Sequence, residues 1–268
     1  MGWSYLPMFK TLWSYRYFIV SSVKTEFRSR FARSKLGGLW MILHPLAQVA
    51  IYTLVLSAVL SAKLPGIDNR YAYSIYLMSG MLGWTLFAEV LGRTVNIFVE
   101  NGNLIQKLSF PRITLPMVVV GTALVNNMLL LAAIMVVFSL LGHLPSLVLL
   151  WVPILIALNL AMATGLGLFL AVLNVFIRDI SQLMEIILQF WFWLTPIVYM
   201  ANIIPDKYRS WFYLNPVTGV IEGLHRVMLY RQSPDLTLLI YPFVLSVFFL
   251  FFSFVFYRRS NEDMADAL

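Results

Sequence analysis

The sequence predicts an all-α integral membrane fold: six transmembrane helices, an N-terminal amphipathic interface helix, and a re-entrant segment between helices 5 and 6. Three observations predict it. Of 268 residues, 60% are hydrophobic and 12% charged, against roughly 45–50% and about 25% in an ordinary soluble domain. Long stretches free of Asp, Glu, Lys and Arg recur along the chain. Basic residues gather on alternate connections between those stretches, the pattern that holds cations on the cytoplasmic side of a membrane.

A helix crossing a ~30 Å hydrocarbon core needs about 20 mostly apolar residues. Residues 39–62 form the first such stretch, bounded by Lys35 and by Lys63, Pro65, Gly66, Asp68 and Arg70. The second, 71–90, carries Gly80 and Gly83 and is closed by Glu89 and Arg93. Residues 113–177 carry no charge, and a turn at Gly142, His143, Leu144 and Pro145 divides them into spans 113–141 and 145–175. The fifth span, 181–200, ends before Pro205 and Asp206; the sixth, 236–257, stops at Arg258 and Arg259.

Thirteen of the 19 basic residues fall on the side of the termini and of the loop 92–112, and six on the other. Both termini are therefore expected in the cytoplasm. Lys10, Arg16, Lys24, Arg28, Arg30, Arg33 and Lys35 punctuate residues 1–38, a pattern at odds with a removable signal peptide. Within that segment Val20, Val23, Phe27 and Phe31 form one helical stripe flanked by the cations. Such a helix lies in the membrane interface, its apolar stripe among acyl chains. Its cations serve either as plain anchors to anionic headgroups or as first contact for a phosphate-bearing lipid, whose oxygens suit the arginine fork. Residues 201–235 contain two apolar runs, 211–214 and 217–230, interrupted by Pro216 and Gly219. They either dip back into the membrane, buried in protein, or lie on its surface as an amphipathic hairpin. Glu222 and Arg226, four apart, have the spacing of a helical ion pair.

Catalytic chemistry is scarce. His44, His143 and His225 stand on separate segments, and there is no cysteine, so no metal site is expected. The pattern GxxxxGK[ST] is absent, so the chain is not expected to hydrolyse ATP. Gly165 and Gly167, with Ala161 and Ala163, have the small-residue spacing of close helix packing in lipid.

Four patterns stand in order along the chain: RSKLGGLWMILHP at 33–45, NGNLIQKLSFPRITLP at 101–116, FIRDIS at 176–181 leading to TPIVY at 195–199, and LNP at 214–216 followed by Arg226. With the six-span layout they resemble the membrane (permease) subunit of bacterial polysaccharide ABC exporters, closest to O-antigen export permeases and related to capsule and teichoic acid permeases. The resemblance implies a homodimer of this chain with two copies of a cytoplasmic ATP-binding subunit, which would hold the ATP and Mg. This chain itself would bind no cofactor, nucleic acid or metal and catalyse nothing. It would sit in the bacterial inner membrane and export an undecaprenyl-diphosphate-linked polysaccharide. In that frame Arg28, Arg30, Arg33 and Lys35 would meet the lipid pyrophosphate, and Tyr52, Phe190, Trp193 and Tyr199 would line the channel. Asn101, Leu104, Lys107 and Phe110 would couple to the ATPase. Two alternatives remain open: a same-fold exporter of capsule, teichoic acid or a small lipid or drug, and a membrane-embedded glycan or lipid transferase. The latter expects paired carboxylates at a membrane edge, whereas Glu89, Glu185 and Glu222 are dispersed.

Overall fold

The computed structural model describes residues 10, 13–30, 36, 39–55, 71–107, 110–143, 146–200, 205–261 and 263–267. Most of these are helical, with no strand among them. In chain order the helices are α1 (Arg16–Arg30), α2 (Trp40–Val55), α3 (Ala72–Glu100), α4 (Gly102–Lys107), α5 (Thr114–Leu140), α6 (Val152–Phe176), α7 (Asp179–Trp193), α8 (Asp206–Tyr213), α9 (Pro216–Met228), α10 (Leu236–Ser260) and α11 (Asp263–Ala267). Four of them are long and apolar enough to cross a membrane: α3, α5, α6 with the 3-10 turn Leu147–Trp151 ahead of it, and α10.

Helix α3 is the axis of the molecule, packed against α5, α6, α7 and α9. It is apolar on nearly every face, the pattern of a helix enclosed by others, and Ile75, Met78, Leu82, Leu86, Phe87 and Leu91 are fully buried. Three asparagines from the neighbouring helices tie it in place. Asn127 Nδ2 donates to the Leu82 carbonyl and Asn159 Nδ2 to the Gly83 carbonyl, each at 2.7 Å, and Asn174 Nδ2 donates to the Val95 carbonyl at 3.1 Å. Such interhelical bonds contribute about 0.6 kcal/mol each in lipid.

The expected end of the second span near residue 90 does not interrupt this helix, which runs on to Glu100. The charges that suggested a boundary are satisfied sideways. Arg93 pairs with Glu89 at 3.3 Å and with Glu26 of α1 at 2.8 Å, and Asn126 Nδ2 donates to Glu89 at 2.8 Å. A helix tolerates such groups where neighbours supply the partners that lipid lacks. Of the expected connection 92–112, only the part beyond Glu100 departs from α3.

Close approach accounts for two glycines. A Cβ on Gly165 would meet the backbone of α10 at Leu250 N (2.7 Å) and Phe249 C (2.9 Å), and α6 with α10 is the most extensive helix pair. A Cβ on Gly219 would meet the Leu238 carbonyl at 2.5 Å, which lets α9 lie against the start of α10. The turn after α5 is closed by Gly142 at φ +86°, with His143 N donating to the Phe138 carbonyl at 2.8 Å. Gly there supplies a left-handed residue without steric cost.

Helix α9 is almost wholly buried, against α3, α6 and α10. Asn215 caps it, accepting from Val217 N at 3.0 Å and from Trp191 Nε1 at 2.8 Å while donating to Thr195 Oγ1 at 2.8 Å. The segment between α7 and α8 is held to α3 by Tyr73, which donates to the Val198 carbonyl at 2.7 Å, and by Tyr76, which donates to the Tyr199 carbonyl at 2.9 Å. Arg226 forms its ion pair with Asp235 at 3.4 Å; the expected Glu222–Arg226 pair is not formed among the described residues. Asp235 caps α10, and donations from the hydroxyl and amide of Thr237 hold its carboxyl below the usual carboxylate range.

Gly165→Val is expected to destabilise the chain by about 1–3 kcal/mol, as overpacking does. At Gly92 a Cβ would meet only Leu188 Cδ1 at 3.7 Å, so Gly92→Ala is expected to be neutral or to stabilise by up to about 1 kcal/mol. Unfolding in mixed detergent micelles checks both.

Candidate functional site

The basic N-terminal helix is docked on the bundle. Helix α1 packs along α5, buries Phe27, and places Glu26 against three partners: Arg93 of α3 at 2.8 Å, Thr122 of α5 at 3.0 Å, and Arg30 of its own next turn at 3.1 Å. Thr122 donates to Glu26 Oε2, and both arginines to Oε1. A Cβ on Gly121 would lie 2.9 Å from Val23 Cγ2, which marks how closely α1 and α5 approach.

Between α1, α2, α3 and α5 lies a cavity of about 440 Å³. Its polar lining comprises Arg30, His44, Gln48, Thr85, Glu89, Asn126 and Asn127; Phe27, Trp40, Met41, Pro45, Leu86, Leu129 and Leu130 supply the apolar part. The charged groups in and beside it balance: Glu26 and Glu89 against Arg30 and Arg93.

The residues singled out from sequence fall into several places. Of the four cations, Arg28 is exposed, Arg30 is paired with Glu26, and Arg33 and Lys35 lie outside the described residues. Arg28 and Arg30, two residues apart, point to opposite sides of α1. Tyr52 is on the outer part of α2, 37% exposed. Among the four consecutive aromatics of α7, Trp191 and Phe192 turn inward, edge-on to Phe87 and Trp84 at 5.1 and 5.6 Å. Phe190 and Trp193 turn outward, 68% and 63% exposed, and continue an apolar face with Leu183, Ile186 and Ile187. Tyr199 donates to the Trp193 carbonyl at 2.6 Å and meets Phe212 edge-on. Helix α2 packs on α5 and α3, and α7 on α3 and α6.

Helix α4 follows α3 directly. Asn101 Nδ2 donates to the Ile97 carbonyl at 2.8 Å, closing the end of α3. Ile105 is buried in a second apolar cluster with Phe98, Leu168, Tyr257 and Met264, which leaves Leu104 and Lys107 on the exposed side. Phe110 is half-buried and packs near Phe18 of α1, ring centroids 6.0 Å apart. Arg112 donates to the Asn261 carbonyl, tying this corner to the end of α10.

Sequence reasoning passed over Glu26 and the asparagines. Glu26 is the first carboxylate in the chain, standing among seven cations, and Asn126, Asn127, Asn159 and Asn174 are the asparagines of the uncharged run 113–177. A lone opposite charge and isolated amides in apolar stretches are the signals that find such partners.

Long apolar helices knitted by internal amides, with a basic N-terminal helix docked at their edge, define a multi-pass helical membrane protein. The ABC-2 type transporter family model matches residues 17–229, and the chain belongs to that family of transporter membrane proteins. It is 26% identical over 265 residues to the O-antigen export system permease protein RfbA of Myxococcus xanthus, covering 98% of this chain and all of that one. The protein of the same name from Klebsiella pneumoniae is 28% identical over 204 residues, 76% of each chain. The polysialic acid transport protein KpsM of Escherichia coli is 23% identical over 248 residues, 89% of this chain and 92% of that one.

Because the chain has no cysteine, the docking of α1 is directly measurable. A Val23→Cys, Gly121→Cys pair places Cβ atoms within the range a disulfide spans, and its cross-link is expected to form readily. Adding Glu26→Ala or Arg93→Ala is expected to lower the cross-linking rate about fivefold, the population shift that ~1 kcal/mol produces.

Proposed function

We propose that this chain is the permease subunit of an ABC exporter that moves a lipid-linked polysaccharide of the O-antigen type out of the cytoplasm. The observation that carries the reading is the similarity to an O-antigen export permease over 98% of this chain and all of that one. The ATP and Mg would be held by a separate ATP-binding subunit, two copies of which would assemble with two copies of this chain. The chain itself supplies passage and coupling and makes no covalent bond.

The reading takes six crossings, with both termini in the cytoplasm of a bacterial inner membrane. Helices α2 and α7 have 16 and 15 residues, or about 24 and 22 Å at the α-helical rise. The reading counts both as crossings because the mostly apolar stretches of sequence that hold them, 39–62 and 181–200, reach the roughly 20 residues a crossing takes. Helix α9, with 13 residues buried almost all round, is too short to cross at about 20 Å. It therefore enters and returns, as the expected segment 201–235 does.

Coupling follows from the continuity of α3 into α4. A push on the exposed Leu104 and Lys107 by an ATP-driven partner is delivered through Asn101 and Ile105 to α3, a 29-residue rod. Asn101 and Phe110 anchor the contact more than they form it. On the membrane side, the exposed Arg28 is the leading contact for the lipid diphosphate, with Arg33 and Lys35 beyond it and Arg30 partly committed to Glu26. The outward Phe190 and Trp193, with Tyr52 and Tyr199, present rings against which the apolar faces of sugar units can slide.

Deletion of the chain is expected to abolish surface glycan while lipid-linked glycan accumulates inside, read by surface labelling and lipid extraction. Failure to synthesise the glycan would instead favour a transferase. Leu104→Asp is expected to lower export about tenfold, the effect of losing ~1.4 kcal/mol at a contact, with chain levels unchanged by immunoblot and ATP hydrolysis retained. Arg28→Ala is expected to slow export at low substrate supply and to leave the Val23–Gly121 cross-linking test unaffected.

A further inference from the structure

The transport reading gives no role to the end of the chain. Helix α11 is five residues long, Asp263–Ala267, and lies beyond residues 17–229, which the family model matches. A chain end of that length frays unless something ties it down. Here Met264 is fully buried, in the cluster that also holds Ile105 of α4, Phe98 of α3, Leu168 and Val172 of α6, and Tyr257 of α10. We propose that Met264 is a positioning residue for coupling: it fills the packing on which α4 rests, so that a load on Leu104 and Lys107 passes into α3 and α6 instead of displacing α4. The functional half of this inference rests on the permease reading above; the packing half does not.

Helix α4 cannot hold its own position. It has six residues, fewer than the ~12–15 at which even a good helix becomes marginal by itself in water. Of its residues Gly102 and Ile105 are buried, and of those two only Ile105 has a side chain through which a load can pass. The stiffness of α4 is therefore the stiffness of the cluster around Ile105. Most of that cluster belongs to long helices that stay in place in any case; Phe98 and Tyr257, with ring centroids 5.9 Å apart, join α3 to α10. Met264 is the member supplied by a short helix, α11, which packs against α6. Its unbranched thioether suits an irregular gap between elements.

The root of α11 is tied to the same corner. Arg112, in the connection between α4 and α5, donates to the Asn261 carbonyl and, at 3.4 Å, to Asn261 Oδ1. The segment leaving α4 and the segment entering α11 thus hold each other, while Asn101 closes the entry to α4. Arg258 and Arg259 are exposed at the end of α10, which puts α11 at a water-facing edge, where burial of an apolar side chain is favoured by the hydrophobic effect. Truncating Met264 leaves a gap that the surroundings close only in part.

Because the chain has no cysteine, a nitroxide on Leu104→Cys reports the motion of α4 in the full chain in lipid nanodiscs, with neither partner nor substrate present. Met264→Ala is expected to raise the mobile fraction of the label about fivefold, and Met264→Leu, a volume-conserving change, to keep the wild-type spectrum. A chain ending at Glu262 and an Arg112→Gln variant, which frees the root of α11 and empties nothing, must both shift the label the same way as Met264→Ala. In the exporter assembled with its ATP-binding subunit, Met264→Ala is expected to lower glycan exported per ATP hydrolysed about fivefold, with hydrolysis and chain level retained and recovery in Met264→Leu. Label motion equal in all variants would overturn the proposal, as would export and hydrolysis falling together at an unchanged ratio, the mark of a merely structural loss. Label motion that follows the variants, in a chain whose deletion leaves surface glycan intact, would support the packing and count against the permease reading instead.

Discussion

A polar group inside a bilayer has no water to bond with, and this constraint organises the molecule around α3. Its buried length is held by amide donations from Asn127, Asn159 and Asn174, one from α5 and two from α6. Lipid provides no hydrophobic drive between helices, so close packing and interhelical hydrogen bonds decide which helices stay together. The same requirement acts on Glu89 and Arg93, which lie within α3 and are tolerated because α1 and α5 supply Glu26 and Asn126.

This pairing makes the N-terminal helix part of the bundle. A basic amphipathic helix held only by lipid would be free to slide in the headgroup region. Glu26 fixes its register on α3 and α5, and Gly121 lets Val23 approach closely. The docked helix then forms one wall of the cavity and carries its exposed cation, Arg28, away from that wall.

On the opposite side of α3 the constraint is met with carbonyls and side chains of irregular backbone. Tyr73 and Tyr76 hold residues 198 and 199, and Asn215 joins α7 to α9. The TPIVY and LNP patterns are therefore junction chemistry: each places groups that satisfy chain ends within the protein. Helix α4, anchored by Ile105 and closed onto α3 by Asn101, leaves Leu104 and Lys107 exposed at the far end of α3.

The sequence by itself determined the class of molecule, because apolar length and charge distribution are constraints each segment meets alone. The uncharged run 113–177 and its division at Gly142 were legible in it, whereas the last helix runs past Arg258 and Arg259 to Ser260 and Val20 of the expected N-terminal stripe stands 65% exposed. The inward and outward halves of the Phe190–Trp193 aromatics were limited by helical geometry, although which pair faced α3 was open. Tertiary structure decided what depends on distant partners. The continuation of α3 past Glu89 could not be read locally, since a charge pair ends a span when it meets water and continues it when Glu26, more than sixty residues away, neutralises it. Arg226 likewise took Asp235 over the helical neighbour that spacing offered. The cavity belongs wholly to the second kind, since residues of four separate helices line it.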